Sequence, residues 1–360
     1  MAQKRNVMIL FGGRSNEHDV SLMSVSSIIK NIDTAKYNLH LIGITREGIW
    51  KHYQGDAADL THWQNSSEPI ILPADPSYGG YFPYSRPQEI HKIDVAFPVM
   101  HGTYAEDGTI QSVLELAGIP YVGSGVLASA LAMDKVAAKQ ICAQNHIPQC
   151  DFDSIEKHQW LEDKEAVLHK LENRFSYPVF VKPANMGSSV GINKAVSRES
   201  LMKAIEEALR YDRKVIVEEF IRGREIECAV LGNAHPKAAI PGEVFSAKEF
   251  YDYAAKYDNS LGSTTRIPAD IPQPKIEEIR RIAIQAYQAL GCKGLSRVDF
   301  FLTDADQRVL LNEVNTLPGF TSISMYPKMW IAMGMSYSEL IDTLLELAIE
   351  EANDKNQLQY

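Results

Sequence analysis

No Gly-Lys dipeptide occurs in the 360 residues of this chain, so the phosphate-binding loop G-x-x-x-x-G-K-[ST] is excluded. No H-E-x-x-H occurs either, and the His and Cys spacings offer no zinc site. After the first apolar run, Gly12-Gly13-Arg14-Ser15-Asn16-Glu17 does not spell G-x-G-x-x-G, so a dinucleotide fingerprint is missing. Metalloprotease and NAD-enzyme readings therefore lose their main support. Cysteine is scarce: Cys142, Cys150, Cys228 and Cys292 show no C-x-x-C spacing, and reduced, buried thiols in the cytoplasm are expected. No apolar run approaches the ~18 residues of a membrane span. Met1–Asn6 is polar and leads directly into Val7–Phe11 without a small-residue cleavage site, which reads as a strand rather than a signal peptide. Positive charge is in deficit, 36 Lys+Arg against 46 Asp+Glu. That balance argues against a general nucleic-acid binder but leaves room for a local basic pocket for phosphate.

What is present is ordinary globular composition, 45% apolar and 23% charged, which argues against wholesale disorder. At ~100–200 residues per domain, two or three domains with sizeable cores are expected. Val7–Phe11 is a continuous apolar run bounded by Gly12-Gly13, as for a strand buried on both faces. A helix with Val20, Met23, Ser24, Ser27 and Ile28 on one stripe follows. Strands at Leu39–Ile44 and Val95–Val99 flank a Pro/Tyr/Gly-rich loop at Pro73–Pro87, and Ile110–Ala117 is helical. This predicts a doubly wound parallel sheet in an α/β domain over 1–123.

From 124 to 219 the pattern predicts an α+β module. It has one helix over Ala128–Asn145, a helix at Asp163–Glu172, strands at Pro178–Lys182, Ile192–Val196 and Val215–Glu219, and a helix at Ser200–Tyr211. A second module over 220–360 has strands near Ile226–Leu231, Gly294–Leu302 and Val309–Val314. Its helices are expected at Lys275–Leu290 and Ser338–Glu351, with a frayed end at Ala352–Tyr360. The stretch 245–262 reads as a mobile surface loop of functional length.

Two constellations carry chemistry. Asp299 sits in the apolar strand Arg297-Val-Asp299-Phe-Phe301, while Glu313 and Asn315 sit two apart in Leu310-Leu-Asn-Glu313-Val-Asn315, on one face by period-two alternation. If the strands pair, three oxygen ligands converge, a set suited to one or two Mg²⁺ ions carrying phosphates. The alternative is an ordinary acidic edge, which would be expensive inside apolar strands without a cation. The second run, Lys182-Pro-Ala-Asn-Met-Gly187-Ser188-Ser189-Val190-Gly191, joins two strands, and its backbone N–H groups can close over phosphate oxygens. Alone it reads equally as a plain Ser/Gly hairpin. Lys135 and the segment Glu218-Glu219-Phe220-Ile221 favour a nucleotide pocket. There Lys182 would meet an α- or β-phosphate, Phe220 and Ile221 would contact an adenine, and Glu225 would accept from ribose hydroxyls.

Together these residues resemble the ATP-grasp superfamily, whose members hold ATP between two α+β modules. Four further runs are similar, in order and over nearly the whole chain, to the D-alanine–D-alanine ligases. They are Gly12-Gly-Arg-Ser15-x-Glu17-His18-x-Val20-Ser21; His101-Gly102 with Glu106-Asp107-Gly108; Tyr251-Asp-Tyr-Ala-Ala-Lys256-Tyr257; and Asn315-x-x-Pro-Gly-x-Thr321-Ser322. The resemblance implies a three-domain ATP-grasp architecture that forms D-alanyl-D-alanine through an acyl phosphate, for peptidoglycan precursor synthesis. It implies ATP, D-alanine and a homodimer, and no nucleic acid or membrane partner.

Residue by residue, the resemblance gives Glu17 the ammonium of the first D-alanine. Ser188 and Tyr257 would complete a trio with Glu17, and His101 would orient substrate. Arg297 and the Gly319 N–H would stabilise the oxyanion. Lys256 would close on the γ-phosphate and Ser189 on the nucleotide, while Ser324 and Met325 would hold the second carboxylate. Two alternatives stay open: a D-alanine–D-lactate ligase of the same fold, in which Phe or His stands where this chain has Tyr257, and a nucleotide-binding protein without turnover.

Overall fold

The first apolar run becomes the hub of a seven-stranded sheet in the computed structural model, which describes residues 4–187, 190–245 and 264–359. The strands are β1 (Arg5–Gly12), β2 (Tyr37–Ile44), β3 (Trp50–Tyr53), β4 (Ser67–Ile71), β5 (Gly80–Pro83), β6 (His91–Lys92) and β7 (Val95–Pro98). Their order is β6-β5-β4-β3-β2-β1-β7. β1 pairs in parallel with β2 and β7, and β3 to β6 extend the sheet antiparallel. These last strands are too short to leave a periodic signal, and β5 lies inside the stretch the sequence assigns to a loop. The helix α1 (His18–Asn31) lays Val20, Ser21, Ser24, Val25 and Ile28 into buried positions.

After α2 (Thr109–Leu116), the single helix expected at Ala128–Asn145 is two, α3 (Val126–Met133) and α4 (Lys135–Gln144). Asp134 breaks them. Its backbone is extended and its carboxylate accepts from the Val136 and Ala137 N–H groups, an N-cap that competes with helix continuation.

A second, four-stranded sheet contains β8 (Phe152–Glu156), β9 (Val179–Pro183), β10 (Asn193–Ala195) and β11 (Lys214–Glu219), every pair antiparallel. The third contains β12 (Gly223–Leu231), β13 (Lys237–Ala238), β14 (Gly242–Phe245), β15 (Thr264–Arg266), β16 (Leu295–Thr303) and β17 (Val309–Asn315). Ala128, Ala132 and Cys142 of α3 and α4 share a core with Ile226, Val298 and Val314 of the third sheet. The helix Gln273–Ala289 joins the same core through Ile279, Ile282 and Ala283.

The chain ends on the helices Met325–Ala332 and Tyr337–Asn356. The last one starts at a reciprocal Ser336–Glu339 cap and runs on through residues expected to fray. Its Leu340, Ile341, Leu344 and Leu345 are buried in one cluster with Val7, Ile9 and Phe97, so the end of the chain covers the first sheet. Among the described residues, no helix is long and apolar enough to cross a membrane.

Candidate active site

Parts of all three sheets line one cleft of about 920 Å³. The first sheet contributes the turn into α1 and the turn after β7. Ser15 Oγ donates to the His101 carbonyl at 2.6 Å and accepts from the Glu17 N–H at 3.2 Å. Ser21 Oγ accepts from the Gly12 N–H at 2.8 Å and donates to the Val99 carbonyl. The serines of the first motif are therefore ties between the two turns. Glu17 is buried at the N-cap of α1, and its Oε2 lies against Gly102 so closely that a Cβ there would stand 2.5 Å away. With φ +73° besides, residue 102 has to be glycine for the carboxylate to sit there. Glu17 Oε2 also lies 3.2 Å from where a Cβ on Gly187 would stand, so it faces the second module as well.

Glu106 approaches Gly102 from another side and accepts its N–H at 3.3 Å. Burial and the neighbouring Glu17 push its carboxyl up to about 8. His101 is buried, with Nδ1 3.0 Å from the Leu317 carbonyl and Nε2 3.1 Å from Ser24 Oγ. Burial outweighs Glu17 and holds its imidazole below the ordinary range, in the neutral form.

The second sheet presents cations. Lys182 is the penultimate residue of β9, diagonal to Glu218 on β11, and its ammonium is 2.6 Å from Glu218 Oε2. Lys139 of α4 lies 3.2 Å from Glu218 Oε1 and donates to Cys150 Sγ at 3.2 Å. Burial opposes the charge on Glu218, but the two lysines outweigh it and hold the carboxyl down near about 2. Glu218 lines the cleft with both carboxylate oxygens committed to lysines, Oε1 to Lys139 and Oε2 to Lys182. Lys135 donates to the Met186 carbonyl at 2.8 Å and stands 3.8 Å from Glu313 Oε2. Glu219 is exposed and accepts from the Asp151 N–H at 2.8 Å. The Lys194 ammonium sits 4.4 Å above the Phe220 ring, and Phe180, Ile221 and Glu225 complete this wall.

The third sheet carries the anionic pair. Asp299 on β16 lies opposite Glu313 on β17, and Arg297 opposite Asn315. Arg297 grips both Asp299 oxygens at 2.8 and 2.7 Å, lies 3.2 Å from Glu227, and is held charged by them against burial. Asn315 Nδ2 donates to Asp299 Oδ2 at 2.9 Å. Asp299 thus sits beneath the cleft wall, while Glu313 and Asn315 line it. A register shift after Asp299 leaves Asn312 without a partner on β16, so Asn312 and Glu313 both reach the cleft.

Beyond β17, Gly319 lies so near Ser324 that a Cβ would meet its Oγ at 2.8 Å. The Ser324 hydroxyl accepts from the Thr321 N–H at 3.0 Å and pairs with Thr321 Oγ1 at 2.8 Å. Met325 is buried against Gly242, so its side chain packs while its backbone opens a helix facing the cleft.

Of the residues singled out in the sequence, Ser188, Ser189, Lys256 and Tyr257 lie outside the described residues, as does the loop assigned to 245–262 except for Phe245, which ends β14. Lys139 was not picked out, and Ser24, Glu106 and Asn312 were named only within a stripe or a run, without a site role. Lys139 lies four residues after Lys135, the spacing of one helix face, which could have found it. Gly187–Gly191 also spells G-x-S-x-G, but it links β9 to its antiparallel neighbour β10 rather than to a helix, so it is not a nucleophile elbow.

Comparisons with known proteins extend over nearly the whole chain. Residues 6–124 match the family model described as D-ala D-ala ligase N-terminus, and 141–346 the one described as D-ala D-ala ligase C-terminus. The D-alanine–D-alanine ligase of Acetivibrio thermocellus is 48% identical over 98% of each chain. That of Clostridium acetobutylicum is 49% identical over 97% of this chain and 99% of its own. Among solved structures, the VanG D-Ala:D-Ser ligase of Enterococcus faecalis superposes with a TM-score of 0.87 at 38% identity, covering 96% of this chain and all 100% of that one. The D-alanine–D-alanine ligase of Coxiella burnetii gives 0.86 at 35% identity, over 98% of both. With an ATP-grasp fold, both halves of the family signature and this likeness along its full length, the chain belongs to the D-alanine–D-alanine ligase family.

Proposed function

We propose that this chain joins two D-alanines into D-alanyl-D-alanine with ATP, supplying a peptidoglycan precursor. The observation that carries the reading is the meeting in one cleft of a carboxylate (Glu17), the Lys182–Glu218 ion pair, and Arg297 with Gly319, drawn from the three parts of the chain. Lys135 and Lys182 face the phosphates, and Glu218, Phe220, Ile221 and Glu225 hold the nucleoside.

Glu17 pairs with the ammonium of the first D-alanine, whose carboxylate oxygen attacks the γ-phosphorus in line. The bond to ADP breaks and an acyl phosphate forms. The amine of the second D-alanine, deprotonated, attacks the acyl carbon; the C–N bond forms and phosphate departs. Arg297 and the Gly319 N–H meet the oxyanion. The backbone at Ser324 and Met325, at a helix N-terminus, receives the second carboxylate. By the family motif, Lys256 serves the γ-phosphate, Ser189 the nucleotide, and Ser188 with Tyr257 the Glu17 trio.

The oxygen donors Asp299, Glu313 and Asn315 fit hard cations, Mg²⁺ or Mn²⁺. No group of three His, Cys, Asp or Glu converges among the described residues, so two bound ions would draw remaining ligands from phosphate and water. When bound, they neutralise phosphate charge.

We read the chain as three domains, 1–123, 124–219 and 220–360, since each sheet is drawn from one span. We also read it as a cytoplasmic homodimer, a setting that suits its four free, buried thiols. The test is phosphate release with ATP and Mg²⁺, with D-alanine, D-serine and D-lactate supplied in turn and in competition. D-Alanine-dependent release matched by dipeptide is expected. No release with D-alanine overturns the reading, and mainly D-alanyl-D-lactate at neutral pH replaces it with the depsipeptide alternative.

A further inference from the structure

Two buried side chains, Ser24 of α1 and His101 of the turn after β7, reach across to the loop that follows β17. The Leu317 carbonyl can only accept, so His101 Nδ1 carries a proton and donates to it at 3.0 Å. In a neutral ring Nε2 is then an acceptor, and Ser24, 3.1 Å away on α1, donates to it. The Ser24 oxygen in turn accepts the Phe320 N–H at 3.3 Å. The bonds form one directed chain, Phe320 N–H to Ser24 O–H to His101 Nε2, and His101 Nδ1–H back to Leu317.

Between the two anchored residues lie only Pro318, with its fixed φ, and Gly319. Phe320 is held from its other sides as well. Its carbonyl accepts from Tyr337 Oη at 2.5 Å, and its ring packs on Phe97 and Tyr326 with centroids 5.6 Å apart. Ser24 is fully buried, so a hydroxyl left without an acceptor there would be costly. The depressed basicity of His101 agrees with the neutral ring this chain of bonds needs.

We infer that Ser24 and His101 act as one positioning pair that aims the Gly319 N–H at the reacting carbonyl, and that His101 serves this ligation as a fixed donor rather than as a proton carrier. This rests on the ligase reading above. It gives Ser24 a role that its place in the α1 stripe does not suggest, and it connects the first sheet to the oxyanion site of the third.

The test compares Ser24→Ala, His101→Ala, His101→Asn and the double variant Ser24→Ala/His101→Asn, with kcat, the KM for ATP and the thermal midpoint measured for each. Asn places an N–H where Nδ1 stood but has no nitrogen that titrates. We expect kcat to fall about a hundredfold in His101→Ala and about tenfold in Ser24→Ala, since a misplacement near 1 Å can cost ~10² in rate. His101→Asn should recover at least about tenfold over His101→Ala, with the KM for ATP within about twofold throughout, as for an interaction made in the transition state. In the double variant the losses should be less than multiplicative, as for residues acting as a unit. If His101→Ala does not fold, Ser24→Ala, His101→Asn and their double variant carry the comparison. His101→Asn as inactive as His101→Ala, unchanged kcat in Ser24→Ala, or fully multiplicative losses would each overturn the inference. An unmodified chain that releases no phosphate with D-alanine overturns the ligase reading and the inference with it, whereas an active one with contrary variants overturns the inference alone.

Discussion

The Lys139 ammonium stands 3.2 Å from Glu218 Oε1, with the two side chains only 3% and 4% exposed. Lys182 closes on the other oxygen, so a buried triad carries one surplus positive charge at the edge of the cleft. Glu218→Gln leaves two buried ammoniums without a counter-charge and should cost about 3–5 kcal/mol of stability. Lys139→Met leaves a neutral Lys182–Glu218 pair, so it should destabilise much less while raising the KM for ATP. Thermal melts with ATP titrations check both; equal destabilisation would contradict the triad. With the Glu218 carboxyl held near about 2, its contribution is present above the ordinary carboxylate range and is lost as pH falls toward 2.

The metal residues separate by environment. Asp299 is gripped by buried Arg297, whereas Glu313 is partly exposed beside Lys135. Glu313→Gln should therefore abolish most turnover with little loss of stability, and Asp299→Asn should lose both. Retention of more than about a tenth of activity by both variants, a loss under ~1.4 kcal/mol, would sink the metal assignment.

Glu106 supplies a pH signature. Its carboxyl stays protonated up to about 8 in the folded chain, while an ordinary glutamate ionises near 4.5. Between these values the folded state holds a proton that the unfolded state has lost. This carboxyl's contribution to stability is full below 4.5, declines as pH rises, and levels off above about 8. Glu106→Gln removes that decline, so the variant should gain on the parent across the window, by at most ~1.4 kcal/mol per pH unit. A stability difference that stays constant from pH 5 to pH 9, in melts of both proteins, would refute the assignment.

Gly102→Ala places a methyl 2.5 Å from Glu17 Oε2 in a left-handed backbone. The variant should lose about 1–2 kcal/mol of stability. It should also raise the KM for the first D-alanine by about tenfold, because Glu17 must move; an unchanged KM would remove Glu17 from the ammonium site.

The parts legible in the sequence were those with a long period or a dense motif. β1, β2, the helix Gln273–Ala289 and the β16–β17 pair announce themselves by apolar runs or helical spacing. The strands β3 to β6 do not, because short antiparallel edge strands carry too few residues for alternation to register. Asn312 was hidden for a different reason. Strict period-two counting turns it away from Glu313, and only the shifted register brings both to the cleft. Ser24 was read as one more small residue on the α1 stripe, since its partners lie 77 and 296 positions away and no local pattern points to them.

The packing of the helix Tyr337–Asn356 onto the first sheet has a consequence for synthesis. A growing chain completes β1 and β7 more than two hundred residues before Leu340, Ile341, Leu344 and Leu345 exist to cover them. The part of that apolar face which Val25 and Ile28 of α1 leave uncovered therefore waits until these leucines and Ile341 emerge, and its closure is a contact of very high sequence separation, the slow kind. Completion of the first sheet's core is in this sense a late event, timed by residues far along the chain, and that interval is when chaperones have the most to protect.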